Sequence, residues 1–275
     1  MRALFFFLCL AIVPACSNDT FGSVDSGAGD AAGGDAVTGD ASCPSFCGSM
    51  TAPFCSDFDE GTFGADWNPV AAPSPQITIS PSTDVVESCP TAMHVAIAQD
   101  LSYAGEASFS FFQKALSPPG TMVTVTLDAH LPDIALPDAG TQLPLDGFGF
   151  FALSAASDAS YYAALERSAD GAWFVRMHQG SSSTGNPPSA LLPGFPVGKW
   201  AHLVLSVVLS NQATGGSVSI TYDPGAGPVT KTTGPTQTMP SGNNDVMLDL
   251  GATRLSATSR AYDAYFDNVV ATFTK

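Results

Sequence analysis

Apolar and polar residues alternate with a period of two along this chain, and glycine and proline punctuate the runs. Residues 121–130 read TMVTVTLDAH, which places Val123, Val125, Leu127 and Ala129 on one face. Thr124, Thr126, Asp128 and His130 take the other. Such a run is a half-buried strand. Val218, Ile220 and Tyr222 alternate with Ser217, Ser219 and Thr221, and the turn DPGAGP leads into residues 229–233, so a hairpin is expected. A second hairpin is expected where residues 168–171 (SADG) separate 161–167 from 172–179. Residues 147–153 and 203–209 are apolar on both faces and read as central strands. Helical periodicity is not seen. Only four glutamates and nine Lys and Arg stand among 275 residues, which argues against long surface helices. The expected fold class is all-β, a sandwich or barrel of antiparallel strands.

The N-terminus has a different composition. Met1-Arg2 precedes an apolar run, ALFFFLCLAIV, closed by Val13-Pro14-Ala15-Cys16. That order reads as a secretory signal, and the run is too short for a spanning helix. A small residue directly before a cysteine resembles the lipobox of bacterial lipoproteins, which implies acylation of Cys16. Pentads beginning at Asp25, Asp30, Asp35 and Asp40 follow, with no apolar period and nothing to bury. The expected organisation is a signal peptide at 1–15, a lipidated cysteine and disordered tether at 16–42, and a β-sandwich at 43–275. A coil of this length reaches roughly 25–30 Å. Ser17 stands where a retention aspartate would sit in the lipoprotein family, so an outer-membrane location is expected, facing the periplasm or the cell surface.

The net charge of −16, without a basic cluster, excludes nucleic-acid binding and electrostatic docking to anionic lipid. Membrane attachment therefore falls to the lipid anchor. Past Cys9 and Cys16, four cysteines remain in an exported chain: Cys43, Cys47, Cys55 and Cys89. An even number favours two disulfides, with three pairings open. Cys43–Cys47 with Cys55–Cys89 is the favoured pairing. A four-cysteine zinc site is the rival, and its spacing is poor.

Several segments together resemble concanavalin A-like lectin/glucanase domains. Residues 54–61 (FCSDFDEG) with Ala65-Asp66-Trp67 resemble the opening strand, and 88–95 (SCPTAMHV) the second. Residues 196–204 (PVGKWAHLV) resemble a laminin-G-like strand, and 248–251 (LDLG) with 264–269 (AYFDNV) the closing pair. The resemblance implies a two-sheet antiparallel jelly roll whose concave face binds glycans. It implies buried positions for Trp67 and Trp200, and a structural calcium held by Asp59 and Asp267. The family's hydrolases carry two glutamates on one strand. Glu60, Glu87, Glu106 and Glu166 supply no such pair. Jelly-roll lyases use Arg, His, Gln and Tyr. Residues 176–179 (RMHQ) are the one cluster of that kind, without the accompanying strands, and read as a polar strand face.

In 161–167, Tyr162 and Glu166 share a face; in 172–179, Arg176 and His178 share one. If the two faces coincide, these four residues form the ligand-binding groove. His94, His130, His178 and His202 lie on separate strands and suggest no metal site. The reading is a lipid-anchored, monomeric binding module for a polysaccharide or cell-surface glycan, with no catalysis. A hydrolase or lyase with an unrecognised site, or a structural envelope protein, are the alternatives.

Overall fold

A computed structural model describes residues 45–59, 61–68, 77–88, 90–98, 108–117, 120–133, 148–156, 158–168, 171–179, 188–241, 245–254 and 261–275. Cys16, the pentads, Cys43 and Cys89 lie outside them. The described residues belong to one compact unit, Ser42–Lys275. They form fourteen strands and a single 3-10 turn, Cys47–Ser49. The strands are β1 (Phe54–Ser56), β2 (Ile77–Ser82), β3 (Ala92–Ile97), β4 (Ser108–Leu116), β5 (Met122–His130), β6 (Phe148–Ala155) and β7 (Asp158–Arg167). There follow β8 (Trp173–His178), β9 (Ser189–Leu191), β10 (Trp200–Val208), β11 (Ser217–Tyr222), β12 (Val229–Thr232), β13 (Val246–Arg254) and β14 (Tyr262–Thr274).

Two antiparallel sheets result. One runs β12-β11-β10-β5-β14-β3-β2, with β1 also on β14; the other runs β4-β13-β6-β7-β8-β9. The expected jelly-roll sandwich is present. Both expected hairpins are formed, β7–β8 and β11–β12. In the first, Ser168 and Ala172 close the turn by a 2.8 Å backbone hydrogen bond, and Gly171 takes φ +87°. That backbone conformation is open to glycine at no steric cost.

The alternation in β5 does what its period requires. Val123, Val125, Leu127 and Ala129 are buried, and the residues between them are half-buried. They meet Leu203, Leu205, Val218 and Ile220 of the same sheet, and Leu165, Val175, Leu248 and Leu250 of the other, in one core. β10 is central but alternates in burial; it is not enclosed on both faces. Residues 248–251 and 264–269 do not pair with each other. They lie in β13 and β14, one in each sheet.

Two expectations fail here. Cys47 bonds Cys55, with Cα atoms 5.7 Å apart, so neither Cys43–Cys47 nor Cys55–Cys89 is formed. Asp57 accepts hydrogen bonds from Cys47 N (2.8 Å) and Ser45 Oγ (2.7 Å) and so holds the 3-10 turn against β1, where Cys55 sits. Closing an eight-residue separation limits the unfolded chain, and the double variant Cys47→Ser/Cys55→Ser is expected to lose about 2–3 kcal/mol, read as a lower Tm in non-reducing buffer. Second, Trp67 is core, stacked on Phe58 and edge-on to Phe54, but Trp200 is not. Trp200 shares the parity of Val204 and Ser206, so it faces outward, half-buried against His130.

Candidate functional site

The six-stranded sheet turns one face to the core and one outward. In β8, Trp173, Val175 and Met177 point inward, leaving Phe174, Arg176 and His178 on the other face. In β7, Ala163 and Leu165 are core, so Tyr162, Ala164 and Glu166 share the outer face. The register sets Tyr162 opposite His178 and Ala164 opposite Arg176. Tyr162, Glu166, Arg176 and His178 therefore come together, as their strand parity suggests.

Their contacts are specific. His178 Nε2 lies 2.6 Å from Glu166 Oε1. In the neutral imidazole that donates to a Glu166 carboxylate, the proton is on Nε2 and Nδ1 carries the lone pair. Arg176 Nη1 is 3.5 Å from the other oxygen, Oε2. The Tyr162 ring stacks on the His178 ring at 4.2 Å and 8°. The Arg176 guanidinium rests 4.6 Å over the Phe174 ring. Glu166 is 3% exposed, yet the Arg176 and His178 side chains keep 28% and 21% of their surface. A buried carboxylate thus anchors two groups whose tips reach solvent. Ala164, between Tyr162 and Glu166 on this face, leaves room for the Glu166 side chain to run along the sheet toward His178. Burial, aided by the charge of Glu166, pushes the Tyr162 phenol up to about 12. Tyr162 is therefore protonated at neutral pH. Arg176 Nε is buried with no hydrogen-bond partner.

A second group on this face escaped the sequence reading. One rank of facing residues crosses all six strands: Gln113, Asp249, Ala152, Ala164, Arg176 and Ser189. Gln113 Nε2 donates to Asp249 Oδ1 at 2.8 Å, and Ser154 Oγ to Oδ2 at 3.0 Å. Burial pushes the Asp249 carboxyl up to about 6, against the lowering pull of those two donors. Two alanines separate it from Arg176, so small side chains line the middle of the rank. Three strand spacings put the Asp249 and Arg176 backbones roughly 14 Å apart. The available signal was Asp249 itself, a lone charge inside the apolar run VMLDL.

The implied calcium site fits only in part. Calcium takes roughly six to eight oxygens with free lone pairs. Asp59 Oδ2 and Asn268 Oδ1 are buried and unpartnered. Asp267 is otherwise engaged. Its Oδ2 accepts Glu87 N (3.2 Å), Ser88 N (2.8 Å) and Ser88 Oγ (3.1 Å), and its Oδ1 accepts Asn268 N (2.9 Å). Three donors fill Oδ2, and Oδ1 already accepts one, so Asp267 has at most one lone pair left for a cation. Among the described residues no group of three His, Cys, Asp or Glu is arranged to hold a metal. Two of the three histidines outside the site pair with carboxylates, His94 with Asp263 at 2.7 Å and His202 with Asp128 at 2.8 Å, while His130 Nδ1 is buried with no hydrogen-bond partner.

No protein-family model matches the sequence, and no curated protein matches it. Solved structures do. An endo-β-1,4-glucuronan lyase from the fungus Trichoderma reesei superposes with a TM-score of 0.56 at 15% identity, over 82% of this chain and 96% of that one. A cellulose-induced protein superposes at 0.51 and 15% identity, over 80% and 97%. The fold is shared with both. The expectation of a chain without catalysis is corrected by the first. That expectation rested on the missing glutamate pair, a requirement of glucanase chemistry, and the same fold carries a lyase.

Proposed function

We propose that the outer face of the six-stranded sheet binds an acidic polysaccharide and cleaves it by β-elimination. One observation carries the reading: His178, with Nε2 committed to Glu166, lies stacked on a protonated Tyr162 beside Arg176. Arg176 pairs with the uronate carboxylate and so acidifies the proton on the adjacent carbon. His178 Nδ1 takes that proton. The electron pair forms the new double bond, the bond to the glycosidic oxygen breaks, and Tyr162 donates its proton to the departing oxygen. Glu166 touches no substrate. It orients the imidazole and stabilises its charged form. The name of the glucuronan lyase supports a uronic-acid polymer as the substrate class.

The test is incubation of the full-length protein with glucuronan, alginate and pectate, following ultraviolet absorbance of unsaturated ends. Absorbance rising with chain scission is expected. Scission with reducing ends but no unsaturation would move the reading to hydrolysis, for which Asp249 and Glu166 on this face are the carboxyl groups available.

The charge of the chain adds a second expectation. A protein of net charge −16 repels a polyanion, and salt screens that repulsion over a length of roughly 10 Å or less. Added salt is therefore expected to lower KM for glucuronan while kcat holds. A KM that rises with salt would point to a basic docking surface instead.

Sequence supports the setting: an exported chain anchored through acylated Cys16 and held off the outer membrane by its Asp/Gly tether. Cys16→Ala is expected to move the protein from the membrane fraction to the soluble one. Retention in the membrane would set acylation aside.

A further inference from the structure

We infer that Asp249, cradled by Gln113 and Ser154, is a second carboxyl-binding point of this sheet, holding a uronic-acid unit across the two alanines from Arg176 by sharing a proton with it. The inference rests on the proposed function and names its substrate class and pH range.

Geometry comes first. Asp249 lies on the same face as Arg176 and in the same rank, with Ala152 and Ala164 between. The residue is 8% exposed and both carboxyl oxygens are held by donors. A proton on Oδ1 faces Gln113 Nε2, which only donates, whereas Ser154 Oγ accepts one on Oδ2 only by turning its own proton to Met247 O at 3.5 Å. The Oδ1 proton therefore points off the sheet, where an incoming carboxylate accepts it. The rank thus offers a guanidinium at one end and a neutral acid at the other. Two uronate units of one chain, separated by other units, present carboxylates that both can take.

The groups facing Asp249 are few. β4 contributes Gln113, and the ammonium of its neighbour Lys114 is engaged elsewhere, on Asp66 O at 2.8 Å. β6 contributes Ala152 and Ser154. Beyond it, β7 carries Tyr162 and Glu166, and β8 carries Arg176 and His178. Leu248 and Leu250 fill the inner face of its own strand. Among the described residues no cation sits beside Asp249 to hold it ionised, in keeping with its elevated titration near 6. Because that value lies above the ordinary one, Asp249 favours the fold below about pH 4, and the contribution is lost as pH rises through about 6. Binding follows the same sign: the protonated form binds, so affinity falls with rising pH.

The experiment is calorimetric titration of the full-length protein with glucuronan oligosaccharides from pH 5 to 8, in buffers of different ionisation enthalpy. For the wild type, affinity is expected to fall about tenfold per pH unit above pH 6, and uptake to approach one proton per site near pH 7. Asp249→Asn keeps the shape and mimics the neutral acid, so it is expected to bind with a flat profile and no proton uptake. Gln113→Leu removes a donor that favours the ionised form and should carry the fall to higher pH. Thermal melts at each pH establish that the variants are folded. If Asp249→Asn follows the wild-type curve, the inference is wrong and the proposed function stands. If the wild type neither binds nor cleaves glucuronan, alginate or pectate at any pH, both are overturned.

Discussion

Glu166→Gln is expected to cut the rate of unsaturated-product formation by roughly 10²–10⁴-fold with the fold intact, the scale seen where a carboxylate orients a catalytic histidine. The side chain is 3% exposed and its two oxygens meet His178 and Arg176. Glutamine fills the same volume. Its amide can face His178 as acceptor or donor, so the imidazole loses its single tautomer, and the charge that stabilises imidazolium is gone. Arg176 is 28% exposed and can turn its charge toward water, so stability should fall only modestly. The loss should appear in kcat, with KM little changed, because Glu166 does not touch substrate. Full activity in Glu166→Gln would remove Glu166 from the mechanism and leave it a structural acid. Equal losses in kcat and in the unfolding midpoint would say the same.

The largest stability effect is expected at Asp267. Asp267→Ala should cost about 3–5 kcal/mol in urea unfolding at neutral pH, since buried donors left without an acceptor cost about 1–3 kcal/mol each and some will recover water. Asp267 is fully buried and accepts from Glu87, Ser88 and Asn268. Its position explains the investment. β14 pairs with β3 through Phe266 and with β1 from Val269 onward. Asp267 and Asn268 bridge that switch, with Asn268 at φ +52° and Phe58 at φ +61°. Non-glycine residues rarely adopt such backbone, and it persists where neighbours hold it. Asp267→Asn should lose less, because burial already penalises the charge and holds the carboxyl near 6. A loss under about 1 kcal/mol in Asp267→Ala would show that water replaces the carboxylate freely.

The four residues read from the sequence met because β7 and β8 are neighbours joined by a short turn. Parity within a hairpin is a local property, so shared faces follow from spacing alone. Gln113, Ser154 and Asp249 met for the opposite reason. Gln113 and Asp249 are 136 residues apart, and Ser154 and Asp249 are 95. Nothing in β4, β6 or β13 states which strands will be neighbours. The disulfide partner of Cys55 was hidden in the same way, since three pairings satisfied the count. Trp200 was misplaced because a motif likeness was set above the parity of its own strand.

By itself the sequence determined that this chain is built of antiparallel strands, which residues of each strand share a face, and that no glucanase carboxylate pair exists. These follow from a two-residue period and from composition, both readable without neighbours. Only the tertiary structure decided the order β4-β13-β6-β7-β8-β9, and with it the rank that puts Asp249 and Arg176 in one row across the sheet. Strand order depends on which apolar faces bury each other across long loops, and that is a property of the whole core rather than of any segment.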